Sequence, residues 1–149
     1  MVDISVIIPV YNTENYIEQC LQSVIDSKGF DRCEVILVDD GSTDDSAEIA
    51  AAITGQYANM ALHRFDNSGP STARNRGAEL ARGRYLYFLD SDDWLEPDYL
   101  QELYRVIEEK QCDMVFAGFS RLSEQGGKEE ALAERAVDGQ KDGGPVGRG

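Results

Sequence analysis

Short apolar runs alternate along the chain with segments whose apolar residues recur every three or four positions. The runs at residues 4–10 and 34–38 are almost entirely aliphatic, which is typical of strands that are buried on both faces of a parallel sheet. Three further runs, at 60–64, 84–89 and 113–120, also have the composition of strands. The pattern therefore predicts strands at these five places.

The segments between these runs follow the period of an amphipathic helix. The first apolar stripe comprises Ile17, Cys20, Leu21, Val24 and Ile25. Further helices are predicted over residues 46–57 and 71–81, and a fourth helix, following Pro97, carries Tyr99, Leu100, Leu103 and Ile107. Helices thus separate each predicted strand from the next.

Strands that alternate with helices predict βαβ units and a mostly parallel sheet. Because crossovers are right-handed, helices are expected on both faces, which gives an open, doubly wound α/β sheet flanked by helices. We assign residues 1–122 to this domain. Residues 126–149 contain seven of the 14 glycines, so we expect residues 123–149 to form a poorly ordered polar tail with a short helix over 128–136.

The charge and cysteine content narrow the classes of partner and compartment. The chain has 14 basic and 28 acidic residues and a formal net charge of −14. This charge disfavours nucleic acid and anionic membrane surfaces, which both require clustered Lys and Arg. Cys20, Cys33 and Cys112 form neither a disulfide framework nor a zinc pattern. With no leader-like or membrane-spanning apolar run, we expect a cytoplasmic protein that has no transmembrane segment.

Polar and aromatic residues follow three of the predicted strands. Open α/β sheets bind ligands beyond the carboxyl ends of their strands, where the strand order reverses. If the three strands are neighbours, these residues converge on one crevice. They are Pro9, Val10, Tyr11 and Asn12 at the first strand, Asp39, Asp40, Gly41 and Ser42 at the second, and Asp90, Ser91, Asp92 and Asp93 at the fourth.

These residue types suit a nucleotide with a diphosphate. The Tyr11 ring can stack on a flat base, and an Asp at a strand end can accept a hydrogen bond from a ring N–H or a ribose hydroxyl. The pair Asp90-x-Asp92 suits Mg²⁺ or Mn²⁺, which prefer oxygen ligands and would neutralise a departing diphosphate. The sequence has neither a P-loop nor a G-x-G-x-x-G motif, so we expect metal and Arg to hold the phosphates.

The segment NSGPSTARNRG at residues 67–77 supplies the Arg. Asn67, Ser68, Gly69 and Pro70 are turn residues, and Arg74 follows near the start of the predicted helix. A cation near a helix N-terminus is unfavourable unless an anion lies close by. A diphosphate or one of the strand-end Asp residues would provide that anion.

Each motif also has a simpler structural explanation. Residues 39–46 could form a turn before a helix, residues 90–93 a solvated turn, and Arg74 could pair with Glu79 on the surface. The side chain of Tyr11 could serve only to pack against its neighbours. We prefer a binding site because acidic or aromatic groups at three strand ends are not expected of independent turns.

Four segments together resemble glycosyltransferase family 2, the inverting, nucleotide-sugar-dependent glycosyltransferases with the GT-A fold. They are SVIIPVYN at 5–12, VILVDDGSTDDS at 35–46, NSGPSTARNRG at 67–77 and YLYFLDSDDW at 85–94. Their order and spacing are also similar to those of the family, and the resemblance covers roughly the first 120 residues. Four linked motifs are far more specific than one.

The resemblance implies roles for residues near the base. The residues that would line or border the base pocket are Pro9, Val10, Tyr11 and Glu14. Asp39 would bond the base, expected to be uracil, and Asp40 would shape the adjoining loop.

The resemblance also implies roles near the phosphates. Arg74 would reach the nucleotide or its phosphates, and Asp90, with Ser91 beside it, would contact the ribose. Asp92 would be the metal-binding member of the D-x-D motif. Asp93 and Trp94 would extend the motif toward the sugar and the acceptor.

The implied reaction is transfer of a sugar from a nucleotide-diphosphate sugar, expected to be a UDP-sugar, to a hydroxyl of a glycan or lipid-linked acceptor, with inversion. The family's catalytic base is a carboxylate, often in a Glu-Asp pair, C-terminal of the D-x-D motif. No such pair follows Ser120, so we expect the base to lie C-terminal of this chain. The alternatives are a non-catalytic nucleotide-sugar-binding module and a dinucleotide-binding domain of another α/β class. A homo-oligomer is compatible with the sequence.

Overall fold

The computed structural model describes residues 1–116, 119–122, 128–131 and 135–137. Its central sheet contains β1 (Ile4–Val10), β2 (Cys33–Asp39), β3 (Met60–Arg64) and β4 (Tyr85–Phe88). All pairings in this sheet are parallel, and the strand order is β3-β2-β1-β4. The register aligns Val10 with Asp39 and Asp39 with Arg64, so β1, β2 and β3 end level with one another.

The burial of the strands follows from their composition. Every residue of β2 and all but one residue of β1 are buried, as expected for the continuous apolar runs of inner strands. By contrast, β4 alternates half-buried and exposed residues, because it forms one edge of this sheet. The core of the domain therefore lies around β1 and β2.

Three helices flank the sheet: α1 (Ile17–Ile25), α2 (Ser46–Thr54) and α3 (Pro70–Leu80). A fourth helix, α4 (Tyr99–Lys110), follows β4 along the chain. Helix α1 packs against α2, whereas α3 packs against β1 and β2. Right-handed crossovers place α1 and α2 on one face of the sheet and α3 on the other. The predicted doubly wound, mostly parallel α/β sheet with flanking helices is confirmed.

Helix α3 approaches β1 closely at Gly77. A Cβ atom at this position would overlap Cγ2 of Ile7, whose side chain is fully buried. We expect Gly77→Ala to lower the free energy of unfolding by about 1–3 kcal/mol, because an extra methyl group in a filled core displaces its neighbours. Urea titration followed by circular dichroism measures this change. Ser71→Ala, at an exposed position of α3, is the control, and equal stability of the Gly77 variant and the wild type would contradict the close packing.

The chain divides into two compact units, Met1–Gln101 and Glu102–Gly149. In the second unit, β5 (Met114–Phe116) pairs antiparallel with β8 (Arg135–Val137), and β6 (Phe119–Leu122) pairs antiparallel with β7 (Lys128–Ala131). The prediction of one strand over 113–120 is therefore wrong, since β5 and β6 belong to separate two-stranded sheets. The helix predicted over 128–136 is also wrong at the described residues of that segment, because 128–131 and 135–136 pair as strands, which outweighs helix propensity.

Much of the predicted tail lies outside the described residues, namely 123–127, 132–134 and 138–149. Its poor order and the boundary between residues 122 and 123 stay predictions.

None of the helices that the structure describes is long and apolar enough to cross a membrane.

Candidate functional site

A cleft of about 550 Å³ opens at the carboxyl ends of the central strands. The chain forms β1, β2 and β3 in order and then places β4 on the other side of β1, so the strand order reverses between β1 and β4. All residues predicted to bind the nucleotide or the metal line this cleft, except Glu14 and Asp39. The lining also lacks five residues that were predicted beside them at the strand ends: Asn12, Gly41, Ser42, Asp93 and Trp94. Its lining residues are Pro9, Val10, Tyr11, Thr13, Asp40, Asn67, Gly69, Pro70, Ala73, Arg74, Asp90, Ser91 and Asp92.

The turn after β1 places the aromatic ring of the site. Tyr11 is 49% exposed, so a large part of its surface can contact a ligand. The next residue, Asn12, adopts a positive φ of 49°, which Asn tolerates better than most residues. Oδ1 of Asn12 accepts a hydrogen bond of 2.8 Å from the backbone N–H of Thr43. This contact ties the β1 turn to the loop after β2.

Thr13 connects three parts of the site. Its backbone N–H donates to Oγ of Ser46 at the start of α2 (2.7 Å), and its hydroxyl donates to Oγ of Ser91 after β4 (2.9 Å). Ser91 is itself buried. The ends of β1 and β4 and the start of α2 are therefore held together by side-chain hydrogen bonds.

Asp40 fixes the loop that precedes α3. Its two carboxylate oxygens accept hydrogen bonds from the backbone N–H groups of Ser68 (2.8 Å) and Gly69 (2.9 Å). At the following Gly41, φ is 77° and a Cβ would lie 2.9 Å from the backbone nitrogen of Asn67, so this close approach requires glycine. The carboxylate of Asp40 thus lines the cleft with both oxygens already engaged.

The structure places Asp39 and Glu14 outside the cleft lining. Asp39 is 1% exposed; its Oδ2 lies 3.6 Å from Nε of Arg64, and its buried Oδ1 has no hydrogen-bond partner among the described residues. Oε2 of Glu14 accepts a hydrogen bond from the backbone N–H of Asp45 (3.0 Å), next to the start of α2. Glu14 is therefore engaged with the start of α2, whereas Asp39 keeps one buried carboxylate oxygen without a partner among the described residues.

Arg74 projects from α3 toward the loop after β4. Its Nη2 lies 3.1 Å from Oδ1 of Asp90, and both side chains are substantially exposed. The strand-end carboxylate therefore provides the anion that a cation near this helix start requires. The pair brings one positive and one negative group to the same wall of the cleft.

An acidic cluster, formed by Asp90, Asp92 and Asp93, occupies the loop after β4. One carboxylate oxygen of each residue lies within 4.8 Å of the others, and all three residues are exposed. Burial, followed by the charges of Asp92 and Asp90, raises the pKa of Asp93 above its usual range. The repulsion that contributes to this shift would be relieved by a cation, and oxygen ligands of this kind suit Mg²⁺ or Mn²⁺. The acidic cluster therefore fits a divalent cation.

Cys20 of α1 lies behind the acidic cluster. Its side chain is fully buried, in agreement with its place in the apolar stripe of this helix, and its Sγ lies 3.7 Å from the backbone oxygen of Asp90. Burial raises the pKa of this thiol to about 12, with further contributions from Asp93, Asp92 and Asp90. The thiol therefore stays protonated and donates to the Asp90 carbonyl.

Sequence reasoning did not assign a site role to several residues that line the cleft. Thr13 carries no motif of its own, and only its contact with Ser91 reveals its position. Asn67, Gly69, Pro70 and Ala73 belong to a segment that was identified for its turn and for Arg74. Their place in the lining follows from the bonds of Asp40 to this loop, which the sequence does not reveal.

Comparison with known proteins identifies a family. The family model described as Glycosyl transferase family 2 matches residues 5–139. Glycosyltransferase GlyA of Streptococcus pneumoniae serotype 4 is 40% identical over 124 residues, which are 83% of this chain and 18% of that protein. The poly(ribitol-phosphate) beta-glucosyltransferase of Bacillus spizizenii is 34% identical over 138 residues, which are 91% of this chain and 22% of that protein.

The chain is also similar to solved structures. The crystal structure of S. aureus TarS 1–349 in complex with UDP-GlcNAc superposes with a TM-score of 0.75 at 31% identity. The match covers 85% of this chain and 36% of that one. The chain thus spans well under half the length of these relatives.

Proposed function

The chain belongs to glycosyltransferase family 2, and from this premise we propose that its cleft binds the nucleotide of a nucleotide-diphosphate sugar, with a UDP-sugar as the donor. The observation that carries the proposal is the meeting of Tyr11, Arg74 and the acidic cluster at one end of the sheet. An aromatic ring, a guanidinium and clustered carboxylates match a base, a diphosphate and a cation. The binding of UDP-GlcNAc by the structural neighbour supports this donor class.

In the proposed complex, Pro9, Val10 and the exposed ring of Tyr11 form the wall against the base. We propose Asp39 as the acceptor of a base N–H, because its Oδ1 is buried and lacks a partner among the described residues. Asp40 is less suited to this role, since both of its oxygens already accept backbone hydrogen bonds. Its proposed role is to shape the loop before α3, and Glu14 supports the border of the pocket from the α2 side.

The proposed cation is Mg²⁺ or Mn²⁺, held by Asp92 together with the neighbouring carboxylates of the acidic cluster. When bound, it would neutralise charge on the diphosphate that leaves during sugar transfer. Arg74 holds a second positive charge at the same wall through its pair with Asp90. Asp90, with Ser91 buried beside it, is also proposed to contact the ribose.

We propose that the reaction is metal-assisted transfer of the sugar, with inversion, to a hydroxyl of a glycan or lipid-linked acceptor. The residues of this cleft contribute by binding and orienting the donor. We assign no catalytic base among the described residues. The name of the poly(ribitol-phosphate) glucosyltransferase relative supports a polymeric acceptor, and three free, buried cysteines suit a reducing cytoplasm.

Isothermal titration calorimetry of the full chain with UDP, UMP and GDP, each with and without Mn²⁺, tests this proposal. We expect UDP to bind more tightly with Mn²⁺ than without it, and UMP to show a smaller gain because it lacks the β-phosphate. GDP should bind more weakly than UDP. Absence of UDP binding under both conditions would contradict the proposed donor site.

The contribution of the Tyr11 ring to UDP binding can be measured separately. We expect Tyr11→Ala to weaken UDP binding by about 1 kcal/mol, or about fivefold in Kd, with and without Mn²⁺, because stacking on the base does not depend on the metal. Tyr16→Ala is the matched control, since Tyr16 is 52% exposed but does not line the cleft. An unchanged Kd for the Tyr11 variant would remove this residue from the site.

A further inference from the structure

The loop that carries the acidic cluster has two distinct faces. Asp90, Asp92 and Asp93 are exposed, whereas Ser91 and Leu95 are buried. The buried face is the one that contacts the segment leading into and through α1. The acidic side chains are thus presented from a loop whose opposite side is anchored in the protein.

Three side chains from the α1 segment make the anchoring contacts. The Thr13 hydroxyl donates to Oγ of Ser91 at 2.9 Å, and Sγ of Cys20 lies 3.7 Å from the backbone oxygen of Asp90. Oγ of Ser23 accepts a hydrogen bond of 2.9 Å from the backbone N–H of Leu95. These contacts are spread from one end of the loop to the other.

The spacing of the anchoring residues explains why they act on one loop. Cys20 and Ser23 are three positions apart in α1 and therefore share one face of the helix. Ser23 also donates its hydroxyl to the backbone oxygen of Cys20 at 2.7 Å, so its own orientation is fixed. Thr13 is fixed in the same way by its backbone bond to Ser46.

The anchoring contacts oppose the repulsion within the acidic cluster. Three carboxylates whose oxygens lie within 4.8 Å of one another repel, and an unrestrained loop would separate them in the absence of a cation. Anchors on the buried face oppose this separation, so less rearrangement is required when the cation binds. Groups that orient metal ligands without touching the metal commonly change metal affinity by about 10–100-fold.

We propose that Thr13, Cys20 and Ser23 are positioning residues that hold the acidic cluster ready for a divalent cation; this inference rests on the proposed function of that cluster. They act through Ser91, Asp90 and Leu95 and not as ligands of the cation. Cys20 and Ser23 lie outside the cleft lining, whereas Thr13 belongs to it. Their contribution is to metal affinity, beyond any contribution to folding.

The test measures Mn²⁺ binding to the full chain by electron paramagnetic resonance of free Mn²⁺, and metal-free UDP binding by calorimetry. We expect Ser23→Ala, outside the cleft lining, to raise the Kd for Mn²⁺ about tenfold while the Kd for metal-free UDP changes less than about twofold. Thr13→Val should raise the Kd for Mn²⁺ by a similar factor, and its metal-free UDP affinity is not used as a reference because Thr13 lines the cleft. Thr13→Ser keeps the hydroxyl and should restore Mn²⁺ affinity, as should Cys20→Ser relative to Cys20→Ala.

Ser27→Ala provides a matched control for Ser23→Ala. Both hydroxyls donate to the backbone oxygen three residues earlier, but only Ser23 also accepts a hydrogen bond from the loop that carries the acidic cluster, among the residues that the structure describes. Thermal unfolding of both variants reveals how much stability each hydroxyl contributes. Equal losses of Mn²⁺ affinity in the two Ser variants would mean a merely structural role and would overturn the inference.

The outcomes separate this inference from the proposed function. If the wild type binds Mn²⁺ and the Thr13 and Ser23 variants bind it equally well, the positioning role is wrong and the metal site stands. If the wild type binds no Mn²⁺ either alone or with UDP, the metal assignment and the positioning role both fail. If Thr13→Val does not fold, Ser23→Ala with its control still decides the question.

Discussion

Replacing Asp92 with Asn is expected to remove most of the gain in UDP affinity that Mn²⁺ provides, and to leave the metal-free affinity for UDP nearly unchanged. Asp92 is exposed in the cleft and belongs to the acidic cluster, and Asn keeps the size of the side chain while removing its charge. A direct ligand should matter at least as much as an outer-sphere group, so we expect the Kd for Mn²⁺ to rise by at least about tenfold. Calorimetry with UDP at several Mn²⁺ concentrations measures both quantities.

Asp26→Asn is the matched control for this substitution. Asp26 follows the C-terminal end of α1, and α1 runs antiparallel to the strands. This carboxylate therefore lies near the end of the sheet where the strands begin, opposite the cleft. The control should bind Mn²⁺ and UDP like the wild type. Full retention of the Mn²⁺ effect in the Asp92 variant would show that the cation has other ligands, and would contradict the role proposed for Asp92.

The largest expected loss of stability comes from Glu34→Ala. Glu34 lies near the start of the inner strand β2, at the end of the sheet opposite the cleft. Glu34 is 5% exposed and accepts hydrogen bonds from the Ser5 hydroxyl (2.6 Å), from the backbone N–H of Arg82 and from Nε of Arg82 (3.1 Å). Truncation leaves a cavity and removes these bonds, so we expect the free energy of unfolding to fall by about 2–4 kcal/mol. Urea titration at pH 7 measures the loss, and Glu79→Ala, at an exposed position of α3 in the same unit, is the control.

The same carboxylate makes stability depend on pH. Burial opposes ionisation of Glu34, but the hydrogen bonds from Ser5 and Arg82 outweigh it and lower its pKa in the folded state. The resulting stabilisation is fully present above the unfolded pKa of about 4.3 and is lost as the pH falls through the lower folded value. Glu34→Gln should therefore lose less stability than the wild type between neutral and acidic pH. Parallel pH profiles for the two proteins would contradict this assignment.

The hydrophobic pattern was sufficient for the sheet and its helices in the first unit. The segments 4–10 and 60–64 coincide with β1 and β3. For β1 the reason is that an inner strand of a parallel sheet must be apolar on both faces, whereas β3 lies at an edge of the sheet and is shorter and more polar. The second unit was harder to predict from sequence. The segment 128–136 has helix-forming residues, but parts of it pair as strands with residues elsewhere in the chain, and a local pattern does not contain that information.

The sequence by itself determined which residues stand at the ends of β1, β2 and β4, because a change from apolar to acidic or aromatic composition marks where a buried strand must end. Only the tertiary structure decided which of those residues share a cleft. It buries Asp39 in the interior and engages both oxygens of Asp40 with the loop before α3. It also anchors the acidic cluster to the α1 segment through Thr13, Cys20 and Ser23. The reason is that strand ends follow from local solvation, whereas the direction and the partners of a side chain depend on elements that are distant along the chain.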